Sequence, residues 1–221
     1  MTAPSSLILA SASPRRRQLL ALGGWSFAVL AADVDEMPHP DEPPGDYVLR
    51  LAAEKARAVA AGSPQAWGVV AADTTVVDGG QILGKPANAA EAEAMLRQLR
   101  GRTHQVLTGI AVLRLADGLL KTELAATDVP MRAYSDGEMH AYIASGDPFD
   151  KAGGYAIQHP EFRPVDALSG CYANVVGLPL CHLTRLLTGL GLPPRADVPA
   201  ACQPALEYDC PVFSRILEGT L

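Results

Sequence analysis

The chain predicts a mixed α/β fold, a twisted sheet with helices on its faces, and two observations carry that expectation. Segments with strand and helix periodicity alternate along most of the sequence, as they do around parallel strands. Hairpin signals intrude at Asp78-Gly79-Gly80 and at Ala116-Asp117-Gly118, and only antiparallel neighbours need such turns. At 221 residues with 48% hydrophobic and 19% charged side chains, the chain can bury the core of one domain or of two lobes.

The elements follow in order. Leu7-Ile8-Leu9-Ala10 is a buried strand that breaks into Ser11-Ala12-Ser13-Pro14-Arg15-Arg16-Arg17. Pro14 stands where a helix to about Leu22 has its first turn, so free backbone N–H groups and guanidiniums face one spot, the makings of an anion site. A loop rich in acids and prolines, Asp33 to Pro44, holds Asp35 and Glu36. Asp46 then caps a helix of about Tyr47 to Ala61, whose apolar stripe of Val48, Leu51, Ala52 and Val59 also carries Lys55. Arg50, Glu54 and Arg57 lie on another face of that helix.

Val69 to Val77 is a strand too apolar to be half exposed, with Asp73 at its centre, and it turns into Ile82-Leu83-Gly84-Lys85-Pro86 as a hairpin. Asn88 with Glu91 starts a helix that Gly101 stops near Arg100. Gln105 to Leu115 and Leu119 to Val129 form a second hairpin, and Ser135 with Glu138 caps a helix ending near Gly146. Asp147 to Gln158 is a glycine-hinged loop feeding a strand, and Leu178 to Leu190 is the last helix. Residues 1–192 are expected as one domain, followed by a loosely packed, proline-rich tail over 193–221.

Composition narrows the function classes. No apolar stretch approaches the roughly 20 residues a membrane helix needs, and the N-terminal segment lacks the parts of a signal peptide, which points to the cytoplasm. Cys171, Cys181, Cys202 and Cys210 show no CxxC spacing and are expected as free thiols. The net charge of −6 and the few aromatics oppose a stable nucleic-acid binder built on Arg15-Arg16-Arg17. Only four lysines, Lys55, Lys85, Lys121 and Lys151, stand among 18 basic residues, so each marks a place where a guanidinium would not serve.

Asp73 is the sharpest position, because a carboxylate inside an apolar strand either bonds nearby backbone at a strand end or meets a cation or metal. Lys55 poses the same question with opposite sign: its ammonium either snorkels out or shares a polar pocket with Asp73. Lys85 sits between Gly84 and Pro86, and Lys151 precedes two glycines, positions where backbone comes close to a ligand or where a loop charge is solvated. Glu36 with Asp35 is either a solvated acidic loop or part of a hard-cation site completed by substrate phosphates. His39, His104, His140, His159 and His182 show no zinc spacing, and neither the P-loop pattern nor G-x-G-x-x-G occurs.

Seven ordered segments then resemble one family. They are Ser11-Ala12-Ser13-Pro14-Arg15-Arg16, Arg50-Leu51-Ala52-Ala53-Glu54-Lys55-Ala56, Ala72-Asp73-Thr74, Gly84-Lys85-Pro86, the stretch Gly101 to Gly109, Asp150 to Gln158, and Asn174 to Pro179. From about Leu7 to Leu190 the chain resembles the Maf family of nucleotide pyrophosphatases. The resemblance implies an elongated two-lobed fold with a central cleft, akin to inosine-triphosphate pyrophosphatases, and a homodimer. It implies cleavage of a nucleoside triphosphate to the monophosphate and pyrophosphate with Mg²⁺ or Mn²⁺, as nucleotide-pool house-cleaning. By the family pattern Asp73 accepts the proton, Glu36 and Asp73 attend the metal, and Ser13, Arg15, Lys55, Lys85 and Lys151 line the phosphates. Arg16, Thr74 and Gln158 resemble the dTTP/UTP branch rather than the 7-methylguanosine-triphosphate branch, which has tryptophan, glutamine and glutamate there. An alternative the family also raises is a nucleotide-binding regulator of cell division acting through a protein partner.

Overall fold

The computed structural model describes residues 7–221, so the start of the segment read as leader-free lies outside the described residues. The elements run β1 (Leu7–Leu9), α1 (Pro14–Ala21), β2 (Phe27–Val29), α2 (Pro44–Ala60), β3 (Gly68–Asp78), β4 (Gln81–Leu83), α3 (Ala89–Leu99), β5 (Thr103–Arg114), β6 (Leu119–Pro130) and α4 (Asp136–Ala144). After two short 3₁₀ turns, Asp147–Asp150 and Ala152–Gly154, come α5 (Tyr172–Val176), α6 (Leu180–Gly189), α7 (Val198–Leu206) and α8 (Phe213–Glu218).

The six strands form one mixed sheet in the order β2-β1-β3-β5-β6, with β4 also on β3. β1 runs parallel to β2 and β3, whereas the β3–β4, β3–β5 and β5–β6 pairs are antiparallel, as the two turn signals require. On one edge of β3, Gly68 to Val70 pair with β1 and Val76 to Asp78 pair with β4. The residues between them, with Asp73 and Thr74 at the middle, have ladder partners only on the β5 side. A break in pairing along one side of β3 therefore leaves the centre of this buried strand without a neighbour there, and the candidate site lies at that break.

The strand period of two sorts the core. Val70 and Ala72 face a cluster with Leu20, Leu183 and Leu187, whereas Val69 and Ala71 face α2 through Ala52, Ala56 and Val59. A third cluster gathers Leu96, Met139, Tyr142 and Phe162 around α3 and α4. α2 lies very close to the sheet at Gly109, where a Cβ would stand 2.3 Å from the Val48 carbonyl oxygen, so no larger residue fits beneath the helix.

The caps read from Asn88 with Glu91 and from Ser135 with Glu138 are present, and Pro14 opens α1 as expected, with Ser13 as its N-cap. Elsewhere the structure corrects the expectation. α2 starts at Pro44 with Pro43 as its N-cap, because proline suits the first helical turn, and Asp46 lies inside that turn rather than capping it. No strand follows Gly154: Gly153 and Gly154 take φ of 69° and 67°, and the Ala156 N–H goes to the Tyr142 hydroxyl at 3.0 Å instead of to a ladder. A short helix, α5, precedes α6, which begins at Leu180 behind Pro179 rather than at Leu178. The segment after Pro193 is not a loose appendage, since it forms α7 and α8 and buries Val198 and Ile216 in the cluster around α6. The four cysteines are free thiols, and all four border one small apolar cavity where α7 meets α6.

Candidate active site

The gap in β3 opens into a cleft of about 710 Å³, continuous with a second hollow of about 170 Å³, and both are walled by Ser13, Arg15, Arg16, Thr74 and Lys85. Asp73 points to the α2 side of the sheet and Thr74 to the other, so adjacent residues serve two faces of one cleft.

On the α2 side, the Lys55 ammonium donates to Asp73 Oδ1 at 2.6 Å and meets Glu36 Oε1 at 2.5 Å. Lys55 and Asp73 are each 7% exposed, which settles both open readings: neither snorkels, and each answers the other's charge. The Glu36 side chain is 48% exposed and faces the cleft. Burial pushes its carboxyl up, but the bond to Lys55 and the fields of Lys55, Lys85 and Arg16 outweigh that and hold it below the usual carboxylate range.

Glu36 stands on a loop, yet α2 ties the loop down. The Tyr47 hydroxyl donates to the Glu36 carbonyl at 2.9 Å. Arg50 grips Glu42 through two N–H bonds of 2.6 and 2.8 Å and reaches the Met37 carbonyl at 3.1 Å. That bond depresses the Glu42 carboxyl to about 2, and burial followed by the nearby Asp73 and Glu36 charges raises Tyr47 to about 12. Neither Tyr47 nor the Arg50–Glu42 clamp stood out in the sequence. Arg50 was placed with Glu54, which it does bond at 3.2 Å, while the tighter partner lies across the loop.

At the α1 end, Ser13 caps the helix by accepting the Arg16 N–H at 3.4 Å. Arg15 reaches only Asp150, at 3.8 Å, and Lys85 is exposed with no ion pair among the described residues, so both cations remain available to an anion. Lys151 differs: its ammonium donates to the Asp147 carbonyl, Asp147 Oδ1 and Asp150 Oδ1 at 2.6, 2.9 and 2.5 Å, which uses all three of its hydrogens. It borders the smaller hollow while holding the turn that carries Asp150.

Arg16 is fixed on the opposite face. Its Nε donates to the Gly177 carbonyl at 2.8 Å and its Nη2 to Thr74 Oγ1 at 3.1 Å. Burial lowers its pKa, an effect opposed by Asp73 and Glu36, and a guanidinium stays charged at neutral pH. Gln158, exposed, borders the same hollow as Arg16 and Thr74. Tyr155 forms part of that wall, and its hydroxyl meets His104 Nε2 at 2.7 Å. Burial pushes His104 down to about 4, so the ring is neutral at pH 7 and serves as a fixed strut.

All the residues expected in the site border the cleft or its smaller hollow except Asp35, whose carboxylate instead accepts the Met37 N–H at 3.0 Å. The arrangement couples a buried carboxylate, a bridging ammonium and two further cations, Arg15 and Lys85, on one side to an Arg–Thr pair on the other. It can bind a polyanion while holding a base ready beside it.

A model of the family described as Maf-like protein matches residues 6–190. A dTTP/UTP pyrophosphatase of Myxococcus xanthus is 54% identical over 187 residues, covering 85% of this chain and 93% of its own. One of Thermomicrobium roseum is 50% identical over 204 residues, covering 90% and 92%. Among solved structures, the Staphylococcus aureus Ham1 protein aligns over 91% of this chain and 98% of its own at 15% identity, with a TM-score of 0.44.

Proposed function

The chain belongs to the Maf family, and from that premise we propose that it hydrolyses dTTP and UTP to the monophosphate and pyrophosphate. The observation that carries this is the Lys55 ammonium held between Asp73 and Glu36 at the floor of a cleft rimmed by Ser13, Arg15 and Lys85.

A triphosphate brings about four negative charges, and cleavage between the α and β phosphates puts a further charge on the leaving pyrophosphate. Lys85 and Arg15, whose contact with Asp150 is loose at 3.8 Å, neutralise that leaving group, and the N–H groups at the start of α1 orient it. Asp73 Oδ1 is held by Lys55, which leaves Oδ2 to accept the proton of the water that attacks the α phosphorus. Lys151 acts at one remove, fixing the turn whose Asp150 meets Arg15. Gln158, whose amide both donates and accepts, reads the pyrimidine edge together with Arg16 and Thr74.

Glu36 Oε1 and Asp73 Oδ1 both meet the Lys55 ammonium, which brings two carboxylates with hard oxygen donors together; these would hold Mg²⁺ or Mn²⁺ beside substrate phosphates. Such an ion, when bound, would offset phosphate charge and acidify a nearby water.

A buried carboxylate aimed into the cleft is more than a binding regulator of cell division requires, which favours turnover over that alternative. Hydrolysis in ¹⁸O-labelled water tests the reading: the label should enter the monophosphate, with pyrophosphate unlabelled. Label in orthophosphate, or no turnover on any canonical or modified triphosphate with either metal, contradicts it. A homodimer and a cytoplasmic location are what the family implies for this chain; no helix among the described residues is long and apolar enough to cross a membrane.

A further inference from the structure

Thr108 does not border the cleft, yet it governs what the cleft offers. It lies on β5 directly across the ladder from Thr74 and is fully buried. Its hydroxyl stands 2.9 Å from Thr74 Oγ1 and donates to the Asn174 carbonyl at 3.3 Å. We propose that Thr108 is a positioning residue that fixes the Thr74 hydroxyl as a hydrogen-bond acceptor toward the base, and so sets discrimination of uracil and thymine against cytosine. The proposal rests on the reading of Arg16, Thr74 and Gln158 as the base-facing group.

The polarity follows from counting hydrogens. The Asn174 carbonyl can only accept, and it already takes the Gly177 N–H at 2.9 Å. Thr108 has a single hydroxyl hydrogen, and the bond to Asn174 uses it, so the 2.9 Å contact to Thr74 is made with the Thr74 hydrogen. Thr74 Oγ1 in turn accepts from the Arg16 guanidinium. The reverse polarity would break the Thr108–Asn174 bond and leave the Thr74 hydrogen without a protein partner. Charge acts in the same sense, because a cation donating to Thr74 sharpens that hydroxyl as a donor to Thr108, and each bond strengthens the next.

With its hydrogen and one lone pair committed, Thr74 shows the cleft a lone pair and nothing to donate. Arg16 has used N–H groups on Gly177, Thr74 and, at 3.5 Å, Ser11, so its remaining groups are donors. The pair therefore accepts the N3–H of uracil or thymine and donates to a neighbouring carbonyl. Cytosine brings a bare N3 to the same lone pair and is rejected.

The test compares wild type, Thr108→Val, Thr108→Ser and Gln158→Glu on UTP and CTP, with kcat and KM taken from pyrophosphate release. Valine keeps the branched shape and removes the hydroxyl, which frees the Thr74 hydrogen to turn into the cleft. The CTP/UTP ratio of kcat/KM should rise about tenfold, carried mainly by KM, the size of effect expected when a buried donor changes its partner. Thr108→Ser, which keeps the hydroxyl, should hold the wild-type ratio. If Thr108→Val fails to fold, Thr108→Ala answers the same question. An unchanged ratio, or an equal loss on both nucleotides, overturns the proposal. If Gln158→Glu moves the ratio while Thr108→Val does not, only the role of Thr108 falls; if neither moves it, the base-reading assignment itself falls.

Discussion

Replacing Lys55 with methionine removes the cation that Asp73 and Glu36 share while keeping the length and apolar body of the side chain. The direct Coulomb attraction at 2.6 Å is about 6 kcal/mol at an effective dielectric of about 20. The net loss is smaller, because an ammonium no longer has to be desolvated, yet an uncompensated carboxylate stays buried at 7% exposure. Broken buried pairs of this kind lose roughly 3–5 kcal/mol, and the half-exposed Glu36 adds little. For a chain of this size that corresponds to a melting point lower by about 6–20 °C. The Glu36 carboxyl should also climb, since the Lys55 bond is the strongest influence lowering it. The assay is guanidinium unfolding of wild type, Lys55→Met, Asp73→Asn and the double variant. The double variant should be more stable than the sum of the single losses predicts, with a coupling of about 2 kcal/mol or more. A single loss below about 1 kcal/mol with no coupling would show that the two charges are not paired in solution.

Two further predictions concern the base hollow and the loop clamp. Gln158→Glu should lower kcat/KM for dTTP and UTP relative to a panel of other triphosphates, because a carboxylate cannot donate to the base; equal relative rates would remove Gln158 from recognition. Glu42, held at about 2 against an ordinary 4.5, contributes stability that is present above pH 4.5 and is lost as pH falls from 4.5 toward 2. Melting points followed down this range should fall less steeply for Glu42→Gln than for wild type, and identical slopes would deny the clamp.

The Lys55–Asp73 half of the candidate site was legible because its residues break the pattern around them. A carboxylate in the middle of Val69 to Val77 and an ammonium on the stripe of Val48, Leu51 and Ala52 are each costly alone, and each pointed to the other. Thr108 gave no such signal, since threonine is an ordinary strand residue and its hydroxyl matters only through register with Thr74. The Arg50–Glu42 clamp spans eight residues across a loop, a separation no helical spacing reveals. The β3–β4 and β5–β6 hairpins were legible through turn chemistry, whereas Tyr155 to Gln158 has strand-like composition but follows two left-handed glycines and gives its Ala156 N–H to the Tyr142 hydroxyl. The tail misled through its prolines: Pro199 and Pro204 sit in α7, where contacts with α6 offset their low helix propensity.

The central claim is that Asp73 is the base. Single-turnover hydrolysis of dTTP by wild type and by Asp73→Asn, with enzyme in excess and folding checked by thermal melting, tests it most directly. The asparagine variant should stay folded, still bind nucleotide and lose at least about a thousandfold in rate. A folded variant that releases pyrophosphate within about tenfold of wild type would contradict the assignment.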